Sequence, residues 1–208
     1  MIYRNRGSSL LIVEHLTCAV LQDISLTLKD AEPVCLSGAS GSGKTRLLRA
    51  IADLDLNTGK VMLDNVVRES IDPQSWRRKV AYLPAESRWW AQTVGEHFRD
   101  PASVPFGRLG FDDQVKDWKV ERLSSGERQR LAVLRLLENQ PRVLLLDEPT
   151  ANLDAQSTQR VETLIGEYIS QAKAACLWVT HAADQIRRIA RQRLLLENSH
   201  LKPAAVAE

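Results

Sequence analysis

Gly38, Ala39, Ser40, Gly41, Ser42, Gly43, Lys44 and Thr45 read GASGSGKT, a full match to the spacing G-x-x-x-x-G-K-[ST]. Residues of these types at this spacing make a cradle for phosphate. The glycines let the loop turn so that successive backbone N–H groups point inward, and a following helix adds the positive end of its dipole. Lys44 would bridge the β- and γ-phosphates of a nucleotide, and the Thr45 hydroxyl would ligate Mg2+. The plain alternative is a flexible Gly/Ser turn before a helix. Ordinary residue frequencies make a chance match in such a chain on the order of one in a hundred.

A second stretch supplies acid. VLLLDEPT ends an apolar run with Asp147 and Glu148, at the position where ligands of open α/β sheets bind. Asp147 would hold Mg2+ through its water shell, and Glu148 would polarise a water attacking the γ-phosphate. Such an acidic pair can also do no more than cap the next helix. Beside a phosphate loop, the chemical reading is the stronger one.

These groups need rigid supports, and the hydrophobic pattern provides them. Val34–Ser37, Val80–Leu83, Val143–Leu146 and Cys176–Thr180 are short apolar runs of the kind that form strands buried on both faces. Between them lie helical stripes: Leu47, Leu48, Ile51 and Leu54, then Val161, Leu164, Ile165, Tyr168 and Ile169. Alternation in LLIVEHL and ISLTL predicts an antiparallel pair near the start. Strands alternating with helices predict a mostly parallel sheet covered on both sides. Residues 98–120, with two prolines, two glycines and scattered aromatics, break the rhythm and read as a compact insertion.

Composition narrows the classes. The chain has 208 residues, enough for one sizeable domain, and its 28 basic and 26 acidic residues leave a charge of +2. No broad field draws it to nucleic acid or anionic lipid, and clusters such as Arg77, Arg78, Lys79 or Arg187, Arg188, Arg191, Arg193 read as solvated faces. Cys18, Cys35 and Cys176 sit among apolar residues and read as reduced core thiols of a cytosolic protein. The first residues, MIYRNRGSSLLIVEHL, make neither a signal peptide nor a membrane span. No other stretch approaches the roughly 18 apolar residues that a span needs.

Between the two motifs lies LSSGERQR, and after them come TANLD and a VTH ending at His181. In this order the chain resembles the ATP-binding cassette (ABC) ATPases, the nucleotide-binding subunits of ABC transporters. The resemblance covers nearly the whole sequence. It implies an α/β fold, a phosphate-loop NTPase of the cassette type, with a mostly parallel sheet flanked by helices. An N-terminal antiparallel β portion and a small helical insertion complete it. One domain is expected over 1–208, with a core lobe about 1–84 and 140–208 and an insertion lobe about 85–139.

The same resemblance implies a mechanism. ATP and Mg2+ are sandwiched between two ATPase subunits packed head to tail, as a homodimer or heterodimer. The signature residues Leu123, Ser124, Ser125, Gly126 and Glu127 of one subunit would meet the γ-phosphate held by the other. Ala151, Asn152, Leu153 and Asp154 would line the seam. His181 would contact the γ-phosphate and position water or Glu148. The catalytic set is then Glu148, His181 and Lys44. An integral membrane permease would be the separate partner, keeping the protein cytoplasmic and peripheral on the inner face of the membrane, with no nucleic acid bound. A soluble ABC ATPase without a permease is the rival. Long coiled-coil insertions and a second cassette, which such members carry, are absent from the sequence.

Three departures from the family pattern and one unusual pair stand out. Ser125 replaces the usual first glycine of the signature. The aromatic residue that stacks on adenine is missing near EHLTCAV, leaving His15, with Tyr3 too far along the chain. Ala85 stands where the family has a glutamine touching Mg2+ and water; Glu86 would substitute only if the loop shifted. A cassette that binds ATP and hydrolyses it poorly is therefore an alternative. Finally, Trp89 and Trp90 are adjacent, with a helix expected to start at Thr93. Neighbours on a strand or helix point different ways, so at least one indole is expected at the surface. Burial against Phe98, Phe106 and Phe111 is one reading. The family resemblance implies the other, a groove that receives a short helix from the permease.

Overall fold

The computed structural model describes residues 9–205. β1 (Ser9–Cys18) and β2 (Leu21–Lys29) pair antiparallel, as the alternation predicts. The other side of β1 takes β4 (Asn57–Leu63), whose far edge carries β5 (Val66–Val67), giving a four-stranded antiparallel sheet.

The main sheet is built from β3 (Pro33–Ser37), β6 (Val80–Leu83), β7 (Val143–Asp147), β8 (Ala175–Val179), β9 (Gln192–Glu197) and β10 (His200–Ala204). Its order is β10-β9-β3-β8-β7-β6, parallel except for the edge strand β10. Among the described residues, five α-helices link the strands: α1 (Lys44–Ile51), α2 (Pro73–Lys79), α3 (Ser125–Glu138), α4 (Ala155–Ala172) and α5 (Ala183–Ile189).

Side chains alternate across the main sheet, so its strands β3, β6, β7 and β8 each feed two cores. Val34, Leu36, Val143, Leu145, Leu177 and Val179 face the antiparallel sheet and α1. Cys35, Leu144, Leu146, Cys176 and Trp178 face α3, α4 and the insertion. This two-sided burial is why the strands read as continuous apolar runs. Fully burying such an aliphatic side chain contributes roughly 1.5–3 kcal/mol. The thiols of Cys35 and Cys176 are buried, and burial pushes them up, Cys35 to about 12. Both are therefore packed protonated thiols, not nucleophiles.

Helix ends follow local chemistry. Asp72 accepts a hydrogen bond from Ser75 N at 2.9 Å and Pro73 opens α2. Ser124 and Glu127 form a capping box on α3. Asp154 accepts from Ser157 N and Ser157 Oγ, both at 2.8 Å, at the start of α4.

Two expectations are corrected here. The stripe that includes Leu54 does not run through it. α1 stops at Ile51, and Asp53, at φ 58°, turns the chain so that Leu54 lies in the open. No α-helix begins at Thr93. Thr93 N and Oγ1 donate to Glu96 Oε2 at 2.7 and 2.9 Å, but this caps a single 3-10 turn, Gly95–His97. Residues 98–120 continue in short 3-10 turns at Phe106–Leu109 and Asp113–Asp117. Phe98, Phe106, Leu109, Phe111 and Val115 join the same core as Leu144, Leu146 and Trp178, so this segment is packed onto the sheet. Arg130 of α3 fastens it, donating to Leu109 O at 2.6 Å and lying over the Phe111 ring.

Candidate functional site

Strand order assembles the site. Three central neighbours, β3-β8-β7, run parallel, so their carboxyl ends emerge side by side. The phosphate loop leaves β3, His181 follows β8, and Asp147 ends β7 with Glu148 next in the chain. His181 thereby stands between the loop and the acidic pair, although it is far from both in sequence. A cavity of about 340 Å3 is lined by Ser40, Gly41, Lys44, Thr45, Asp147, Glu148 and His181 among others.

The loop needs its glycines at specific points. Gly43 precedes α1 with φ 102°, and a Cβ there would sit 2.8 Å from Leu21 Cδ2. At Gly38 a Cβ would lie 2.3 Å from the Leu196 carbonyl oxygen, so β9 could not approach any larger residue. Ser42 N donates to Ala39 O at 3.2 Å, closing the turn. Ser42 Oγ is buried with no hydrogen-bond partner. Lys44, only 7% exposed, donates through Nζ to Gly38 O and Ala39 O, both at 2.9 Å. Burial lowers its ammonium from the usual value, while Glu148 and Asp147 oppose that shift.

On the acidic side, Asp147 Oδ2 accepts from Thr45 Oγ1 at 2.7 Å and from Tyr82 OH at 3.1 Å. Burial, then the Asp147 charge, pushes the Tyr82 phenol well above its usual value, so it remains a donor. Glu148 holds φ 48°, a conformation that costs a non-glycine residue energy and that clusters at functional sites. Its N–H donates to Val179 O at 3.1 Å, and its Oε1 lies 3.3 Å from His181 Nε2. Thr45 and Asp147 present hard oxygen donors side by side at the cavity. A hydroxyl, a carboxylate and space for water and phosphate oxygens suit Mg2+, which seldom uses an all-protein cage.

The signature lies elsewhere in the same chain. Leu123, Ser124, Ser125, Gly126 and Glu127 do not line this cavity. Ser125 opens α3 without a positive φ, so a side chain there is tolerated. Gly126 is a place of close approach: a Cβ would meet Asn152 O at 3.1 Å and Leu153 Cδ2 at 3.2 Å. The signature and the stretch Ala151–Asp154 thus abut one another within one subunit. Ala151, Asn152 and Asp154 are exposed and Leu153 half-buried.

Neither Ala85 nor Glu86 lines the cavity. The loop is pinned on both sides of Ala85, because Gln129 Nε2 donates to Pro84 O at 3.2 Å and Ser87 Oγ to Gln129 Oε1 at 3.1 Å. His15 is solvent-exposed, bonded to Asp23 at 2.6 Å, and does not reach the cavity; half-exposed Val20 does. Tyr3 lies outside the described residues. Trp90 is 74% exposed, while Trp89 is half-buried against the core that holds Phe98, Phe106 and Phe111, so one indole lies at the surface and the other is packed.

Sequence reasoning passed over Tyr82, whose place in β6 pairs it with Leu145, two residues before Asp147 on the same face. Arg193, read from the sequence as part of a solvated face, is instead half-buried and donates to Ser37 Oγ at 3.1 Å beside the loop. Gln185, also passed over, bridges Thr150 Oγ1 and Glu162 Oε1 at 2.8 Å each. Strand alternation alone could have suggested Tyr82. The other two depend on long-range neighbours.

Comparison with known proteins agrees with this geometry. A family model described as "ABC transporter" matches residues 21–151. The probable iron export ATP-binding protein FetA of Escherichia coli (strain K12) is 31% identical over 180 residues, 80% of each chain. The lipoprotein-releasing system ATP-binding protein LolD of Shewanella oneidensis is 32% identical over 213 residues, 89% of each. Among solved structures, the ATP-binding subunit of an ABC transporter superposes with a TM-score of 0.86 at 21% identity, covering 95% of this chain and 90% of that one. A dimeric ATP-binding cassette in a post-hydrolysis state, bound to ADP and Pi, gives 0.82 at 21% identity, covering 95% and 99%.

Proposed function

This chain belongs to the ABC transporter ATPases, and from that premise we propose how its residues bind ATP, hydrolyse it and pass the work to a membrane partner. The observation that carries the reading is the convergence of Lys44, Thr45, Asp147, Glu148 and His181 on one cavity at the ends of three adjacent strands.

In the bound state Lys44 Nζ exchanges the Gly38 and Ala39 carbonyls for β- and γ-phosphate oxygens. The loop N–H groups of Gly38–Thr45 and the start of α1 take the remaining negative charge. Thr45 and Asp147 would hold Mg2+, which when bound would supply charge neutralisation to the phosphates. Glu148 accepts a proton from the attacking water as its oxygen bonds to the γ-phosphorus and the bond to ADP breaks. His181 Nε2, already 3.3 Å from Glu148 Oε1, holds that carboxylate and faces the γ-phosphate.

Two subunits, identical or different, would pack head to tail. The exposed Ser124 and the N–H of Gly126, at the start of α3, then reach the nucleotide of the other subunit. Ala151–Asp154 lie along the seam. The placement of the signature away from its own phosphate loop supports this reading, because one chain leaves the γ-phosphate side of the site open. The same arrangement fits a core lobe, about 1–84 and 140–208, moving against an insertion lobe, about 85–139, as the site closes. Trp89 and Trp90 would dock a short segment of an integral permease, holding the protein on the cytoplasmic face of the membrane.

The test is Glu148→Gln beside Lys44→Ala, each with ATP and Mg2+. Glu148→Gln should cut turnover by roughly 100-fold or more, as for loss of a general base, and accumulate as a dimer by size-exclusion chromatography. Lys44→Ala should lose nucleotide binding and remain monomeric. A monomeric Glu148→Gln protein in saturating ATP and Mg2+ would refute the sandwich.

A further inference from the structure

His97 is 7% exposed and lies between two indoles that a surface loop presents. Its Nε2 accepts from Trp90 N at 2.9 Å and from Ala91 N at 3.0 Å, and its Nδ1 faces Thr93 O at 2.9 Å. A single neutral tautomer satisfies all three partners: a proton on Nδ1 donated to Thr93 O, and a lone pair on Nε2. Trp89 and Trp90 meet the imidazole edge to face, with centroids 4.6 and 4.7 Å away. From the α3 side, the Arg135 guanidinium lies over both indoles at 4.5 and 4.9 Å and donates to Arg88 O at 3.0 Å. Trp90 nonetheless keeps most of its surface in water.

We propose that His97 is the positioning residue that presents Trp89 and Trp90 to the membrane partner, and that only its neutral ring does so. The proposal rests on the docking role given to the tryptophans above. A proton on Nε2 would point at two N–H donors, so protonation removes the acceptor that holds Trp90 N and Ala91 N. The charged groups facing the ring are Arg135 of α3 and Glu96 of its own turn. The Glu96 carboxylate is occupied by Thr93 N and Oγ1, and the adjoining turn Asp113–Asp117 presents the Lys116 carbonyl at Gly95. Burial first, and Arg135 second among the groups that lower it, hold the imidazole below its usual 6.5. The latch is therefore closed at neutral pH and opens on acidification.

Amide exchange in the full-length protein tests this. As pH falls from about 7.5 to about 5, exchange at Trp90 and Ala91, corrected for the intrinsic rate, should rise by roughly tenfold or more, the loss expected for an acceptor shared by two donors. Amides within α3 should not follow. His97→Gln keeps an acceptor oxygen that does not titrate, so its two amides should stay protected across the range. His97→Phe should leave them unprotected throughout. Protection that ignores pH in the native protein, or that titrates equally in His97→Gln, overturns the proposal. A partner-stimulated hydrolysis assay in permease-bearing vesicles separates the two layers of the argument. Coupling lost in Trp90→Ala but intact in His97→Phe overturns the positioning role alone; coupling intact in both overturns the docking reading beneath it.

Discussion

Replacing Tyr82 with phenylalanine removes one hydroxyl and nothing else from the acidic side of the site. That hydroxyl donates to Asp147 Oδ2 at 3.1 Å, on the oxygen that Thr45 Oγ1 meets at 2.7 Å. Asp147 is 5% exposed, so water cannot simply take the place of the lost donor. A hydrogen bond to an ionised group is worth roughly 1.5–3 kcal/mol, and the long distance here argues for the lower end. About 1.5 kcal/mol is about a tenfold change in an equilibrium constant. Loss of a residue that orients a metal ligand also costs about that much in affinity or activity. Tyr82→Phe should therefore raise the Mg2+ concentration needed for half-maximal ATP binding about tenfold. The ring still fills its place, so urea unfolding of the nucleotide-free protein should fall by only about 1 kcal/mol. Titrating Mg2+ against a fixed concentration of fluorescent ATP analogue reads the first quantity directly. An Mg2+ requirement within about twofold of the native protein's, a difference of about 0.4 kcal/mol, would refute the argument that Tyr82 positions Asp147.

Three further outcomes are expected. Ala85→Gln should raise turnover severalfold in a steady-state phosphate-release assay by restoring an amide at a position that now offers none; an unchanged rate would mean that the Gln129 bonds to Pro84 and Ser87 hold residue 85 away from the nucleotide. Trp90→Ala should leave ATP affinity unchanged by equilibrium titration and abolish stimulation by the membrane partner. Asp55 accepts from Arg49 Nε and Nη2 and from Arg46, chiefly the Arg49 bonds holding its carboxyl below 3.8. A depressed carboxylate stabilises the fold above its unfolded value and ceases to as pH falls through the lowered one. Asp55→Asn should thus cost about 0.5–1 kcal/mol at neutral pH and flatten the acid limb of the stability curve, measured by urea unfolding at a series of pH values.

How much of this could be read from the sequence depended on whether position is set locally or across the sheet. The phosphate loop was legible because its glycines, its lysine and the helix they open are contiguous. The two-sided burial of β7 and β8 was legible as unbroken apolar runs. Strand order was not: nothing local says that β8 inserts between β3 and β7, yet that insertion brings His181 to within 3.3 Å of Glu148. His97 was illegible for the same reason, since Arg135, which covers the indoles it holds, is supplied by α3. The end of α1 was misread because Leu54 continues the apolar spacing, while Asp53 takes a left-handed conformation that no periodicity records.

Ala85 looks different once register is known. Read as a motif, it is a missing contact between the strand now identified as β6 and the metal. In the folded chain β6 already reaches the acidic strand through Tyr82, because Tyr82 pairs with Leu145 and so lies on the same face as Asp147 two residues further on. Glu86 is solvent-exposed and outside the cavity, which leaves the phenol as the polar side chain of this segment in contact with the metal-side carboxylate. On that reading the loop after β6 would not need to ligate the metal. Gln129 fixes its base from α3, and its tip carries the tryptophans that His97 and Arg135 hold. A segment fastened to the signature helix at one point and presenting indoles at another can transmit movement of that helix without touching the nucleotide itself. That division of labour makes a definite demand: in the double variant Tyr82→Phe with Ala85→Gln, a glutamine able to reach the site should recover the Mg2+ affinity lost in Tyr82→Phe alone. A strictly additive double variant would show that the two positions serve unrelated ends.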